Sequence, residues 1–324
     1  MYAITGITGQ VGGAVARNLL SENQSVRAVV RNAEKGTAWA AQGCAVALAD
    51  MNDADALKAA FADAEGVFVL LPPNFAPSRG FPETRAIVAA LHTAIAAARP
   101  DKVVCLSTIG AQATQPNLLT QLQIMEQVLG DLPMPIAFLR PAWFMENVAW
   151  DVAPAREKGI IPSFLQPLDK PVPMIATADV GRIAAELLQQ TWSGRRIVEI
   201  EGPRRVTPDD IAKTFSRLLS RPVHAEGVPR ETWEALFKDQ GTADPQPRIQ
   251  MLDGFNEGWL EFESGKSGSI KGQVELETVL NSLVVDPTDD RKDRITLGFK
   301  KLYPCQNNPS RISSCLKRFL LMLN

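Results

Sequence analysis

At 324 residues and a net charge of −2, the chain suits one large α/β domain, or a nucleotide-binding domain with a smaller companion. Its 45% hydrophobic content is ordinary for a globular protein. The charge balance gives no basis for binding nucleic acid or a membrane surface, and no apolar run of about eighteen residues marks a transmembrane helix. Cys44, Cys105, Cys305 and Cys315 lack disulfide or zinc spacing, and His92 and His224 are far apart, which argues against a metal site. The first strand starts almost at Met1 with no signal peptide before it, so a reducing cytoplasm is the expected location.

The chain opens with a strand, Tyr2-Ala3-Ile4, a glycine-rich turn from Thr5 to Gly12, and an apolar-periodic helix from Gly13 to Leu20. Strand, glycine turn and helix in that order form the context of a dinucleotide site. Gly6 allows the tight turn, Gly9 lets the backbone approach a pyrophosphate, and Gly12 lets the helix pack close to the strand. Thr8, Gln10 and Val11 complete the cradle, in which backbone N–H groups at the helix start face the phosphates. A glycine turn without a ligand is the alternative.

A second strand, Ser25 to Val30, ends at Arg31-Asn32 with Lys35 close behind. An NAD site carries Asp or Glu about twenty residues beyond the glycines to take the ribose 2′-hydroxyl, whereas Arg there accommodates a 2′-phosphate. Arg31 lies nineteen residues after Gly12 and no acid ends the strand, so NADP(H) is expected, held by Arg31 and Lys35. A solvated strand-end charge is the bland reading of Arg31.

A third strand, Ala45 to Ala49, runs into Asp50 and Met51, on the edge where an adenine ring is expected. Asp53 caps a helix from Ala54 to Phe61. Gly66 to Asn74 is a nearly continuous apolar strand, as in a parallel sheet covered on both faces, broken at Pro72-Pro73. Leu70, Leu71 and Pro72 are thereby assigned to the adenosine side. After a loop from Phe75 to Phe81, Glu83 to Arg99 is a long helix on which His92 is a surface or packing residue. The fifth strand, from Asp101, exits through Ser107 and Thr108, two hydroxyls where nicotinamide and substrate would meet. A helix from Leu118 to Leu129 and a sixth strand from Pro135 to Arg140 follow, ending in Pro141 to Asn147. This alternation specifies an α/β fold, a Rossmann-type doubly wound parallel sheet with right-handed crossovers.

From Val148 the texture changes. Gly159 to Met174 is proline-rich and reads as an irregular lid or wall. Thr177-Ala178-Asp179 opens a helix from Val180 to Gln190, Arg196 to Ile200 is a strand, and Thr207-Pro208-Asp209-Asp210 starts a helix running to Leu219. Helical segments follow at Glu231 to Lys238, Gln246 to Trp259 and Leu276 to Val284. Residues 1–150 are thus read as an NAD(P)-binding domain, 151–285 as a smaller α/β substrate-side region, and 286–324 as a basic tail peripheral to the chemistry.

The glycines Gly6 to Gly12, Arg31, Leu70 to Pro73, Ser107-Thr108 and the run Leu139 to Asn147 (LRPAWFMEN) together resemble the NmrA-like family, a branch of the atypical short-chain dehydrogenase/reductases. The resemblance spans Met1 to about Val285. It implies an NAD(P)-binding Rossmann fold with a small C-terminal substrate region. It also implies one of three activities: NADPH-dependent quinone reduction, reduction of phenolic or aryl substrates, or redox sensing without turnover.

Most short-chain reductases carry a Tyr four residues before a Lys, and the Tyr protonates the developing alkoxide. Here Tyr2 is followed at that spacing by Gly6 and Tyr303 by Asn307, so the dyad is absent. Some relatives place a lysine six residues before a helix glutamate; counting back from Glu126 gives Thr120. Hydride delivery to a ketone makes a basic alkoxide that needs a nearby acid. Delivery to a quinone makes a phenolate-like anion, with a pKa of roughly 10, that can take its proton from water. The expected function is an NADPH-dependent oxidoreductase acting on a quinone or similarly activated small-molecule acceptor. Ser107, Thr108 and Asn147 are the catalytic candidates, and Phe144 and Asn147 line the acceptor. The alternative is a non-catalytic NAD(P)-sensing regulator acting through a protein partner. A nucleotide-sugar epimerase fits poorly, because that chemistry recruits the missing Tyr. A homodimer is compatible with either reading.

Overall fold

Short apolar strands alternate with amphipathic helices along the first half of the chain, and the computed structural model, which describes residues 1–265 and 268–285, gathers them into one sheet. In chain order the elements are β1 (Tyr2–Ile4), α1 (Gln10–Ser21), β2 (Val26–Val30), α2 (Ala33–Ala40), β3 (Ala45–Leu48), α3 (Ala54–Phe61) and β4 (Gly66–Val69). Then come α4 (Pro82–Ala98), β5 (Lys102–Leu106), α5 (Thr120–Leu129) and β6 (Ile136–Pro141). The remainder comprises β7 (Trp143–Phe144), a 3-10 helix (Met145–Asp151), α6 (Val152–Lys158), β8 (Ile160–Ser163), β9 (Met174–Ile175), α7 (Thr177–Gln189), β10 (Arg195–Glu201) and α8 (Pro208–Leu219). β11 (His224–Gly227), α9 (Trp233–Asp239), α10 (Gln246–Glu257), β12 (Ile270–Lys271) and α11 (Leu276–Val285) complete it.

Eight strands form the main sheet in the order β12-β10-β6-β5-β4-β1-β2-β3, and each neighbouring pair is parallel. The order reverses direction beside β1, between β2 and β4, so the carboxyl ends of β1 and β4 border the crevice where such sheets bind ligands. Side-chain alternation along the strands feeds two cores. Tyr2, Ile4, Phe68, Val104 and Leu139 face a layer that includes α1 and α7. Ala3, Val67, Val69, Val103, Cys105 and Phe138 face α3, α4 and α5. Burial on both faces explains why these strands read as unbroken apolar runs.

The chain beyond residue 150 divides between the sheet and a smaller layer. α7, β10 and β12 join the main sheet or its faces, with β10 paired to β6 from Arg195↔Ile136 to Ile200↔Pro141. α8 packs beside the small parallel pair β8 and β11, with the Phe164, Trp233 and Phe237 rings clustered nearby. α8 starts as expected, on a capping box in which Thr207 and Asp210 bond each other's backbone N–H groups.

Several boundaries differ from the sequence expectation. α1 begins at Gln10 rather than Gly13, because Gly12 and Gly13 lie inside its buried face and hide the apolar period. α2 was not expected: it buries only Gly36 and Trp39, but Asn32 caps it by accepting from the Glu34 N–H. The apolar run from Gly66 leaves the sheet after Val69, since Pro72 and Pro73 have no N–H to continue the ladder. The segment from Gly159 to Met174 is not wholly irregular, because Ile160–Ser163 pairs with β11. Asp53 caps α3 as expected, accepting from the Asp55 and Ala56 N–H groups at 3.1 and 3.0 Å. The basic tail at 286–324, including Tyr303, Cys305 and Cys315, lies outside the described residues.

Candidate functional site

The carboxyl end of β1 is tied to that of β4 by one hydroxyl. Thr5 Oγ1 donates to the Phe68 carbonyl at 3.1 Å and accepts from the Leu70 N–H at 2.8 Å. The turn that follows is tight. Gly6 has φ +62°, and the Gly9 N–H donates to the Gly6 carbonyl at 3.0 Å. A Cβ on Gly12 would sit 2.3 Å from that same carbonyl oxygen, a distance no side chain tolerates. The helix therefore starts hard against the turn. Thr8, Gly9 and Gln10 are exposed, and no side chain caps α1, so its first N–H groups are open to an anion. Val11 is buried in the core and contributes only backbone. A cradle that a single methyl would fill, opening on an uncapped helix start, fits a pyrophosphate.

Arg31 and Lys35 are exposed beyond β2, Lys35 in the first turns of α2. Among the described residues the Arg31 guanidinium makes no hydrogen bond, and its charge acts on Asp50. Asp50 lies beside it: hydrogen bonds from Asn52, then the nearby Arg31 charge, hold its carboxyl below the usual range despite partial burial. The Met51 side chain is buried among Val29, Leu57 and Phe61, so at this edge it presents its backbone. Leu70, Leu71 and Pro72 are half-buried where β4 ends, and Leu70 stands 3.1 Å from where a Gly6 Cβ would be.

At the exits of β5 and β6 the structure holds a buried ionic cluster. Ser107 is 5% exposed, and its hydroxyl donates to Glu126 Oε1 at 2.5 Å. Arg140 grips the same carboxylate twice, Nε to Oε1 at 2.8 Å and Nη2 to Oε2 at 2.6 Å. Its Nη1 donates to Glu263 at 2.7 Å and to Gln112 at 3.3 Å, with Glu199 3.6 Å away. Burial opposes the Arg140 charge, but Glu126 and Glu263 outweigh it and raise the guanidinium above its ordinary pKa. Glu199 in turn accepts from the Glu263 and Ser264 N–H groups, at 2.7 and 3.0 Å. The segment around Glu263 is thereby fastened over the ends of β6 and β10.

Thr108 is half-buried, and among the described residues its hydroxyl has no hydrogen-bond partner. The Ile109 N–H donates to the Pro141 carbonyl at 2.9 Å, joining the exits of β5 and β6. Phe144 is half-buried in β7, paired to Ile175 of β9, while Asn147 is exposed on the 3-10 helix. Between them Glu146 accepts from the Thr177 N–H and hydroxyl at 2.8 and 2.6 Å, docking that helix on α7. Burial raises the Glu146 carboxyl against these bonds, and its Oε2 is buried without a partner among the described residues. Burial alone pushes Asp151 up to about 7. Tyr2, the tyrosine within the described residues, is buried in β1 beside Glu65, and burial and that carboxylate raise its hydroxyl.

Sequence reasoning did not assign Glu126, Arg140 or Glu263 to the site. The signal was present in the first two: an arginine ending the apolar strand Ile136–Pro141, and a glutamate amid the apolar face of α5, must each find a buried partner.

The family model for the NmrA-like family matches residues 2–258. The chain belongs to the NmrA-like family. The NAD(P)H azoreductase of Xenophilus azovorans is 26% identical over 259 residues, covering 79% of this chain and 85% of the relative. Quinone oxidoreductase 2 of Escherichia coli (strain K12) is 27% identical over 246 residues, covering 75% and 83%. Among solved structures, the Citrobacter sp. triphenylmethane reductase complexed with NADP(H) superposes with a TM-score of 0.71 at 21% identity, covering 87% of this chain and 99% of that one. At that identity the likeness shows a shared fold.

Proposed function

We propose that this NmrA-like protein is an NADPH-dependent oxidoreductase that reduces a quinone or a similarly activated small acceptor. The observation that carries this reading is what the exits of β5 and β6 offer. From Ser107 to Asn147 the chain has hydroxyls and amides but no tyrosine and no lysine, and the Ser107 proton is already given to Glu126. An acceptor reduced there has to stabilise its own negative charge, as a quinone does. The azoreductase and quinone oxidoreductase relatives support the same acceptor class.

NADPH, once bound, supplies the hydride. The chain's own part is to place and shelter it. The turn from Gly6 to Gly12 and the start of α1 hold the pyrophosphate. Arg31 and Lys35 hold the 2′-phosphate, and Asp50, Leu70, Leu71, Pro72 and the Met51 backbone border the adenosine. Ser107 and Thr108 sit at the nicotinamide, and Phe144 and Asn147 face the acceptor. Water supplies the proton to the reduced product.

The test is steady-state NADPH oxidation across benzoquinones, naphthoquinones and an azo dye. Turnover with at least one quinone supports the reading. Tight cofactor binding with no turnover on any of them would instead favour an NAD(P) sensor acting through a protein partner, a role the missing Tyr–Lys pair also permits.

A further inference from the structure

Ser107 stands where its hydroxyl would ordinarily be counted as a donor to the ligand, but its hydrogen-bonding polarity is already fixed from behind. The Glu126 carboxylate, ion-paired with Arg140, has only lone pairs to offer, so the 2.5 Å contact requires Ser107 to donate its single proton to Glu126. Both carboxylate and guanidinium side chains are 3–4% exposed, so water does not compete for that bond. The Ser107 N–H is also spent, donating to the Leu139 carbonyl at 2.7 Å. What Ser107 can still give is the lone pairs of Oγ.

We propose that Ser107 meets the bound cofactor as a hydrogen-bond acceptor, kept in that polarity by the Glu126–Arg140 ion pair, and takes an N–H of the nicotinamide carboxamide. This rests on the NADPH reading above. Ser107 is then a cofactor-orienting residue, while Glu126 and Arg140 are positioning residues that act through it. Because the carboxamide lies in the plane of the ring, one such bond selects the rotation of the nicotinamide and so the face from which hydride leaves. Arg140 also reaches Glu263, so the segment that crosses the ends of β6 and β10 bears on the same bond.

The experiment compares the binding of NADPH with that of the reduced 3-acetylpyridine analogue, in which a methyl ketone replaces the carboxamide and removes its N–H groups. Dissociation constants are read by fluorescence titration without any acceptor. In the unaltered protein NADPH is expected to bind roughly 2- to 10-fold tighter than the analogue, the range for one net hydrogen bond. Ser107→Ala should close most of that gap. Glu126→Gln, which sets an amide N–H beside the oxygen and so no longer fixes the Ser107 hydroxyl as a donor, should narrow it too, and in the Ser107→Ala background should leave it unchanged. A purely structural role for Glu126 predicts lower thermal stability in both backgrounds with no change in the gap. If Glu126→Gln fails to fold, Ser107→Ala alone decides the acceptor role. A gap that survives in Ser107→Ala overturns the proposal while leaving NADPH dependence intact. No binding of NADPH by the unaltered protein overturns both.

Discussion

Replacing Gly12 by alanine puts the dinucleotide cradle to a severe test. The added methyl would meet the Gly6 carbonyl oxygen at 2.3 Å, the Gly6 carbonyl carbon at 2.6 Å and the Ile7 nitrogen at 2.9 Å. All three are backbone atoms, so no side-chain rotation relieves the clash, and the turn has to retreat by about 1 Å. Alanine inside α1 gains about 1 kcal/mol of helix propensity over glycine, while overpacking costs about 1–3 kcal/mol. The net loss of stability is therefore modest, about 0–2 kcal/mol, read as a shift in urea midpoint. Binding should suffer more. Misaiming even one N–H at a phosphate forfeits a charge-assisted bond of about 1.5–3 kcal/mol, or roughly 10- to 100-fold in Kd. NADPH and NADH should lose alike, since both carry the pyrophosphate. A folded Gly12→Ala variant that binds NADPH within about twofold of the parent would refute the assignment of the cradle, given how little one net hydrogen bond is worth.

Arg31→Asp should weaken NADPH by at least about 10-fold and NADH far less, because it removes the cation and adds a like charge at the 2′-phosphate; equal losses would mean Arg31 does not read the phosphate. Asp151 carries a pH signature. Its folded value of about 7 lies above the unfolded one of roughly 4, so the native state holds a proton that the unfolded chain releases. The contribution of Asp151 to stability is therefore greatest at acid pH and falls by up to about 1.4 kcal/mol per pH unit as pH rises from about 4 to about 7. Asp151→Asn should reduce that slope and be more stable than the parent at about pH 8, by on the order of 1–3 kcal/mol in urea denaturation. An unchanged slope would show that Asp151 is ionised in the native protein.

The sheet was legible because both its faces are buried: Gly66–Val69, Lys102–Leu106 and Ile136–Pro141 are apolar at nearly every position, and proline or glycine punctuates their exits. The cradle was legible because its constraint is local, with Gly6, Gly9 and Gly12 within seven residues and the clash between Gly12 and Gly6 confined to them. α2 was not legible, since a helix held by one cap and two buried residues has almost no apolar period. The pair β8 and β11 joins residues 64 positions apart, Ile160 with His224, and neither strand is long enough to show a pattern. The cluster about Arg140 failed to show for a related reason. Glu126, Glu199 and Glu263 come from three separate segments, and only the folded chain brings their charges to one guanidinium, with Ser107 joined to it through Glu126. The sequence therefore presented Ser107 as a free hydroxyl, whereas its proton is committed to Glu126.

Hydride transfer from NADPH to an activated acceptor without a Tyr–Lys pair is open to a single-turnover measurement. Protein loaded with NADPH is mixed in a stopped-flow instrument with excess naphthoquinone, and the loss of cofactor fluorescence is followed. A rapid single decay is expected with a quinone and none with a simple ketone. Loss of the signal with the ketone at a comparable rate, or no decay with any quinone, would contradict it.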